Sequence, residues 1–204
     1  MALASAEALA LTGMMGCGKS TVAAVLGRRL RRRVLSTDAE VVRIAGKPIP
    51  RIFSEDGERA FRALERRVVA GVSGPVVVDL GGGAFCDPAS AARLLATSRV
   101  VFLDVSAGEA GRRLGPSGMA SRPLAATWSR LLAARLPLYR RAHHTVRVDG
   151  LAPEAVERLV LDLVGGEEER VRSTLDGPGS GGRQWPFDRL RASGIRTGRA
   201  GDVP

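Results

Sequence analysis

The sequence predicts an α/β domain of three layers, α/β/α, around a central five-stranded parallel sheet. Three observations point there. Five short apolar runs alternate with helical patterns between residues 8 and 163. The richest of them are continuously apolar and β-branched, as strands buried on both faces must be. Two of them end in glycine-rich loops, and in such sheets ligands sit at the carboxyl ends of strands.

The elements follow in order. Ala8 to Thr12 is a short apolar strand that enters a glycine loop. Lys19 to Leu30 reads as a helix and Arg33 to Ser36 as a second strand. Gly57 to Val72 is an amphipathic helix, with Phe61, Leu64, Val68 and Val72 recurring at helical spacing. Pro75 to Leu80 is a β-branched strand that runs into three glycines. Asp87-Pro88 starts the next helix, with Asp at the N-cap and Pro in the first turn. Arg99 to Val105 is a buried strand, Trp128 to Tyr139 a helix, Thr145 to Val148 a strand and Pro153 to Leu163 a closing helix.

Composition bounds what such a domain does. At 204 residues the chain is one domain, or one domain and an appendage, and it buries a full core without disulfides or a structural metal. It has no apolar run of about 18 residues, so no membrane span is expected. Met1 to Ala10 lacks a basic start and a long apolar stretch, so it is not read as a secretory signal. Cys17, Cys86, His143 and His144 have no metal-ligand spacing, and a cytoplasmic, monomeric protein is expected. The net charge of +10 is nearly all arginine, since Lys19 and Lys47 are the only lysines. Solubilising surface charge explains it more simply than nucleic acid does, because 4% aromatic residues are too few for base stacking. From Gly165 onward the pattern changes. Nine glycines and no apolar periodicity mark residues 165–204 as a disordered tail attached to a 1–164 domain. That tail holds seven arginines against six acids, a net of +1, so the body carries +9.

Gly13-Met14-Met15-Gly16-Cys17-Gly18-Lys19-Ser20-Thr21 follows a strand and opens a helix. This is the G-x-x-x-x-G-K-[ST] phosphate loop in its required context. Its glycines let backbone N–H groups turn around a β-phosphate, and the following helix aims its positive end at the same anion. Lys19 bridges the β- and γ-phosphates and Ser20 ligates Mg²⁺. Cys17 reads as a small residue filling a tight loop rather than as a reactive thiol. The chain is thus expected to bind a nucleoside triphosphate in a P-loop NTPase fold.

The acceptor is less plainly written. Asp38, just past the second strand, suits an N-cap by position alone. Arg62 lies beside the apolar stripe of its helix with Glu65 three residues on, a spacing that lets the acid orient it. Arg135 falls in the middle of the apolar seam formed by Trp128, Leu131, Leu132 and Tyr139. A buried arginine needs an anionic partner, either a structural carboxylate or a bound substrate. Gly81, Gly82 and Gly83 permit close backbone approach after a buried strand. Residues 112–126 have little apolar pattern and suit a mobile lid.

Taken in order, Ser36-Thr37-Asp38, Gly46, Ile52-Phe53, Gly57-Glu58, Phe61-Arg62, Glu65, Gly81-Gly82-Gly83-Ala84, Arg122-Pro123-Leu124 and Arg135-Leu136-Pro137-Leu138-Tyr139 resemble the shikimate kinase family over about residues 8–163. The resemblance implies transfer of the γ-phosphoryl group of ATP to the 3-hydroxyl of shikimate, on the way to chorismate and aromatic amino acids. It implies that Asp38 holds the acceptor hydroxyl and that Arg62 and Arg135 grip the carboxylate. It further implies that the glycine backbone meets a substrate hydroxyl, chiefly through Gly82 and Gly83. Arg122 reaches the transferring phosphate and Arg113 covers the adenine side. Lys19, Asp38 and Arg122 are the catalytic set it implies, with Mg²⁺ as cofactor.

One position departs from the pattern. The family usually has Asp-x-Asp after the second strand, and here Ser36 replaces the first Asp. Asp79 ends a hydrophobic strand in the manner of a Walker B aspartate, so it either supplies the missing metal-side carboxylate or points into a polar contact. Two other readings stay open: a degenerate relative that binds nucleotide without turnover, and a kinase for another hydroxylated acid such as gluconate. Against the latter, the histidine and asparagine pattern of gluconate kinases is missing after the second strand.

Overall fold

A computed structural model describes residues 7–120 and 128–175. Strand β1 (Ala8–Thr12) leads through the glycine loop into α1 (Lys19–Leu30) and back through β2 (Arg33–Ser36). Three helices follow, α2 (Thr37–Ala45), α3 (Ile49–Glu55) and α4 (Gly57–Ala70), before β3 (Val76–Asp79). A 3-10 turn at Ala84–Cys86, α5 (Pro88–Thr97) and β4 (Ser98–Asp104) come next. Then come α6 (Ala107–Ala120), α7 (Trp128–Tyr139), β5 (His144–Arg147) and α8 (Pro153–Leu175).

The five strands form one parallel sheet in the order β2-β3-β1-β4-β5. The apolar runs explain the order. All of β1 and β3 is buried, whereas the edge strands β2 and β5 are partly exposed and carry Arg33 and Arg147. Continuously apolar strands fit only the middle of a helix-covered sheet. Leu9, Leu11, Val77, Val101 and Leu103 are wholly buried at its centre. A second, smaller cluster of Val41, Ile52, Phe61 and Val68 packs α2, α3 and α4 together beyond the edge of the sheet core. It gives these helices a core of their own and makes a wall next to the carboxyl end of β3.

Register fixes which residues meet at that end. Leu11 pairs with Asp79, and Asp79 pairs with Ser36 on its other side. The phosphate loop leaves β1 one residue after this row, so loop, Asp79 and Ser36 lie side by side.

Two expectations need correction, and a third is placed only in part. Asp38 does not cap α2: Ser36 does, accepting from the Ala39 N–H at 3.4 Å, and Asp38 sits in the first turn. A serine hydroxyl is as good a cap as an aspartate, so the cap does not require the Asp38 carboxylate. Residues 112–120 are helical within α6, broken at Gly115, whose φ of 60° and ψ of 178° suit glycine. The rest of the expected lid, including Arg122, lies outside the described residues. The closing helix runs to Leu175 rather than Leu163, and the compact unit that carries the sheet ends at Glu167. Residues 176–204 of the expected tail also lie outside the described residues.

Candidate active site

The phosphate loop is shaped by three glycines at positive φ: Gly13 (144°), Gly16 (86°) and Gly18 (89°). At Gly13 a Cβ would also meet the Leu103 carbonyl at 2.6 Å, so strand β4 leaves no room for a side chain there. Met14 and Cys17 are buried, so these residues anchor the loop by packing and leave their backbone to the cavity. Cys17 Sγ lies 3.7 Å from Lys19 Nζ, inside the loop rather than open to solvent. Lys19 folds over the loop and donates to Gly13 O (2.8 Å) and Met14 O (3.3 Å). Its ammonium is thereby held against the carbonyls of its own loop.

Ser20 Oγ donates to Asp79 Oδ2 at 2.6 Å. Asp79 is only 8% exposed, and among the described residues no cation lies within ion-pair distance of it. Arg113 reaches the loop from α6. It pairs with Glu109 (2.7 Å) and donates to Cys17 O (3.2 Å) and Val148 O (2.6 Å). It thus ties the loop to the carboxyl end of β5. Trp128, at the start of α7, donates its indole N–H to Met15 O at 3.2 Å.

The other half of the site is built from side chains. Arg62 forms a 2.7 Å ion pair with Glu65 and a 3.0 Å pair with Glu58. Glu65 is almost fully buried, and burial pushes its carboxyl up while Arg62 pulls it down and Asp38 adds to the rise. Burial alone would lower the Arg62 pKa, but its two glutamates outweigh that and the net shift is upward. The guanidinium is therefore a fixed cation, aimed by its acids. Arg135, half-buried, donates to Gly82 O at 3.0 Å, and no carboxylate among the described residues pairs with it. Tyr139 donates to the same carbonyl, and burial pushes its phenol up, so it stays protonated.

Two of the three consecutive glycines, Gly81 and Gly83, vacate space for a side chain. A Cβ at Gly81 would overlap Asp38 Oδ1 and press on Glu65, and a Cβ at Gly83 would overlap the Arg62 guanidinium. At Gly82 it would sit 3.5 Å from Arg135 Nη1. All three keep negative φ, so here glycine serves close approach and not turn geometry. Gly81 also donates its N–H to Thr37 Oγ1 (2.7 Å). Thr37 in turn donates to Asp79 O at 3.5 Å. This buried threonine fastens α2 to the end of β3 and so holds Asp38 against Gly81.

One cavity of about 920 Å³ joins the two halves. Lys19, Ser20, Asp79 and Arg113 line its loop side, where Leu151, Pro153 and Val156 supply apolar surface. Asp38, Arg62, Glu65 and Arg135 line the other side, with Ile49, Pro50, Phe53 and Phe61 as apolar wall. Phe53 and Phe61 pack ring to ring at 4.8 Å. Of the residues expected from sequence, only Arg122 is not placed. Thr37, Trp128 and the double donation to Gly82 O went unforeseen. Glu65 orients Arg62 as its spacing predicts, and it interrupts the buried positions Phe61, Val68 and Val69 on one helix face.

A phosphate loop at the carboxyl end of a parallel sheet, opening onto a cavity whose far side carries Asp38 and two arginines, Arg62 and Arg135, defines a P-loop kinase of a small anionic acceptor. The family model described as shikimate kinase matches residues 15–164. The chain is 44% identical over 172 residues to the shikimate kinase of Saccharopolyspora erythraea, covering 78% of this chain and 97% of that one. It is 45% identical over 158 residues to the shikimate kinase of Thermobifida fusca, covering 74% and 90%. Its fold superposes on a shikimate kinase from Acinetobacter baumannii in complex with shikimate with a TM-score of 0.74, at 30% identity, covering 79% and 94%. This chain belongs to the shikimate kinase family.

Proposed function

We propose that the chain transfers the γ-phosphoryl group of ATP to the 3-hydroxyl of shikimate, giving ADP and shikimate 3-phosphate. The observation that carries this reading is the convergence of Arg62, Arg135 and Asp38 on one side of the cavity that the phosphate loop closes on the other. Two arginines suit one carboxylate, since a planar fork recognises it with two parallel bonds. Arg135 forms no ion pair among the described residues, which leaves it for an acceptor carboxylate. Arg62 is oriented but not consumed by Glu65 and Glu58.

In-line transfer forms the bond from the acceptor oxygen to phosphorus and breaks the bond to the β-phosphate oxygen, with ADP leaving. Asp38 accepts a hydrogen bond from the attacking hydroxyl and takes its proton as the bond forms. Phosphoryl transfer depends more on alignment and charge neutralisation than on a strong base. Lys19 neutralises the β,γ-bridge, and Arg122 is assigned to the transferring group. The loop N–H groups hold the phosphates, while Arg113 with Leu151 and Pro153 makes the adenine side. Gly81 has given its N–H to Thr37. The family resemblance assigns the Gly82 and Gly83 amides to a substrate hydroxyl.

Ser20 and Asp79 present oxygen ligands, the donor type that Mg²⁺ takes. That ion would screen the β- and γ-phosphate charge when bound with the nucleotide. We assign the chain to the cytoplasm as a monomer; no helix among the described residues is long and apolar enough to cross a membrane. We assign residues 1–164 to the kinase domain and 165–204 to an appended tail.

The test is ADP release from ATP and Mg²⁺ with shikimate, gluconate or no acceptor. Release with shikimate alone is expected. Equal rates without acceptor, or a preference for gluconate, would contradict the assignment.

A further inference from the structure

We propose that Asp79 is the carboxylate on the cation side of the nucleotide, and that positions 36 and 79 are one functional position whose carboxylate either strand can carry. The proposal rests on the kinase reading only in taking the donor to be a nucleoside triphosphate. It is independent of the acceptor.

Three carboxylates line the cavity: Asp38, Glu65 and Asp79. Glu65 is bound to Arg62, and Asp38 lies against Gly81 beside Glu65, both on the acceptor side. Asp79 alone touches the phosphate loop, through Ser20 Oγ at 2.6 Å. A hydroxyl directly after the loop lysine and a carboxylate at the end of a neighbouring strand are the pair that hold Mg²⁺ in P-loop NTPases. Asp79 is also a buried carboxylate without a cationic partner among the described residues, and buried charges are paired or bind metals. No group of three acidic, histidine or cysteine side chains gathers among the described residues to hold a metal unaided. This fits a cation that arrives on the triphosphate, keeps several waters and takes only one or two protein oxygens.

Ser36 is the register partner of Asp79 on the adjacent strand. Neighbouring strands lie about 4.8 Å apart, so both residues border the same space. Ser36 lines the same cavity, and its hydroxyl is engaged with the Ala39 N–H as the α2 cap. Aspartate caps as well as serine does. A carboxylate at position 36 would therefore keep the cap and face the cation from one strand further out. With Asp79 present, serine suffices at position 36.

The experiment measures Mn²⁺ affinity of the protein–ADP complex by electron paramagnetic resonance, for the native chain, D79N, D79S and S36D/D79S. ADP affinity in the presence of a chelator reports on whether the loop is intact. D79N, which preserves shape, and D79S should each lose about 10- to 100-fold in Mn²⁺ affinity with metal-free ADP binding retained. S36D/D79S should recover most of that loss. Native affinity in D79N overturns the assignment of Asp79, and a loss that S36D/D79S fails to recover overturns the exchange of positions. Should the acceptor assignment fail, it fails in the turnover assay, and these affinities are unaffected.

Discussion

The donor and acceptor sides of the cavity are built in opposite ways. The donor side is nearly all backbone from one contiguous stretch, Gly13 to Thr21, with Lys19 folded over its own loop. The acceptor side takes side chains from α2, α4 and α7 and seats them against three glycines after β3. A triphosphate has the same shape in every kinase, so a local loop serves it. A specific hydroxylated acid needs charges placed in three dimensions, and that takes long-range packing. Substitutions on the acceptor side should therefore alter alignment and acceptor affinity while leaving the nucleotide site intact.

The largest separation is expected at Gly81. A methyl group there displaces Asp38, and a misplacement of about 1 Å at a reacting group lowers turnover about 100-fold. Gly81→Ala should lose kcat by about that factor with ADP affinity unchanged, as measured by steady-state kinetics and a nucleotide titration. An equal loss of ADP affinity would show that the two sides are not separable.

The two arginines sharpen the comparison next. Each lost charge-assisted contact to an acceptor carboxylate is worth about 1.5–3 kcal/mol, so Arg62→Ala and Arg135→Ala should each raise the shikimate KM about 10- to 100-fold. They should differ in stability. Arg62→Ala leaves Glu65 buried without its partner, whereas Arg135→Ala leaves Gly82 O still bonded to Tyr139. Thermal unfolding should fall in the first variant more than in the second.

The smallest effect lies at the donor-side support. Asp149 accepts from the Ser106 N–H and hydroxyl, and Arg147 also donates to it. The Ser106 bonds, with Arg147, hold its carboxyl down to about 2 from 3.8. A depressed carboxylate adds stability above its unfolded pKa and loses it as pH falls through the folded one. The native chain should thus lose stability between pH 3.8 and about 2 more steeply than Asp149→Asn, as unfolding at a series of pH values would show. Parallel curves would remove Asp149 from the account.

Legibility in the sequence divides along the same line. The loop was readable because glycine spacing, lysine and serine sit within a few residues. The strands were readable because buried parallel strands leave unbroken apolar runs. Arg135 stood out by interrupting the α7 seam, and it does face the cavity. Thr37 did not stand out, since its role depends on Gly81 and Asp79, more than forty residues away. The cap on α2 was misassigned because Ser36 and Asp38 both suit a cap and only the backbone path decides between them. The α6 helix beyond Arg112 was missed because Gly115 breaks its pattern.

The central claim is that the acceptor is recognised through its carboxylate by Arg62 and Arg135. The most direct measurement compares kcat/KM for shikimate with that for its primary carboxamide, which keeps every hydroxyl and loses the charge. The native chain should prefer shikimate by about 100-fold or more, and Arg135→Ala should shrink that preference. Equal kcat/KM for acid and amide in the native chain would contradict the carboxylate clamp.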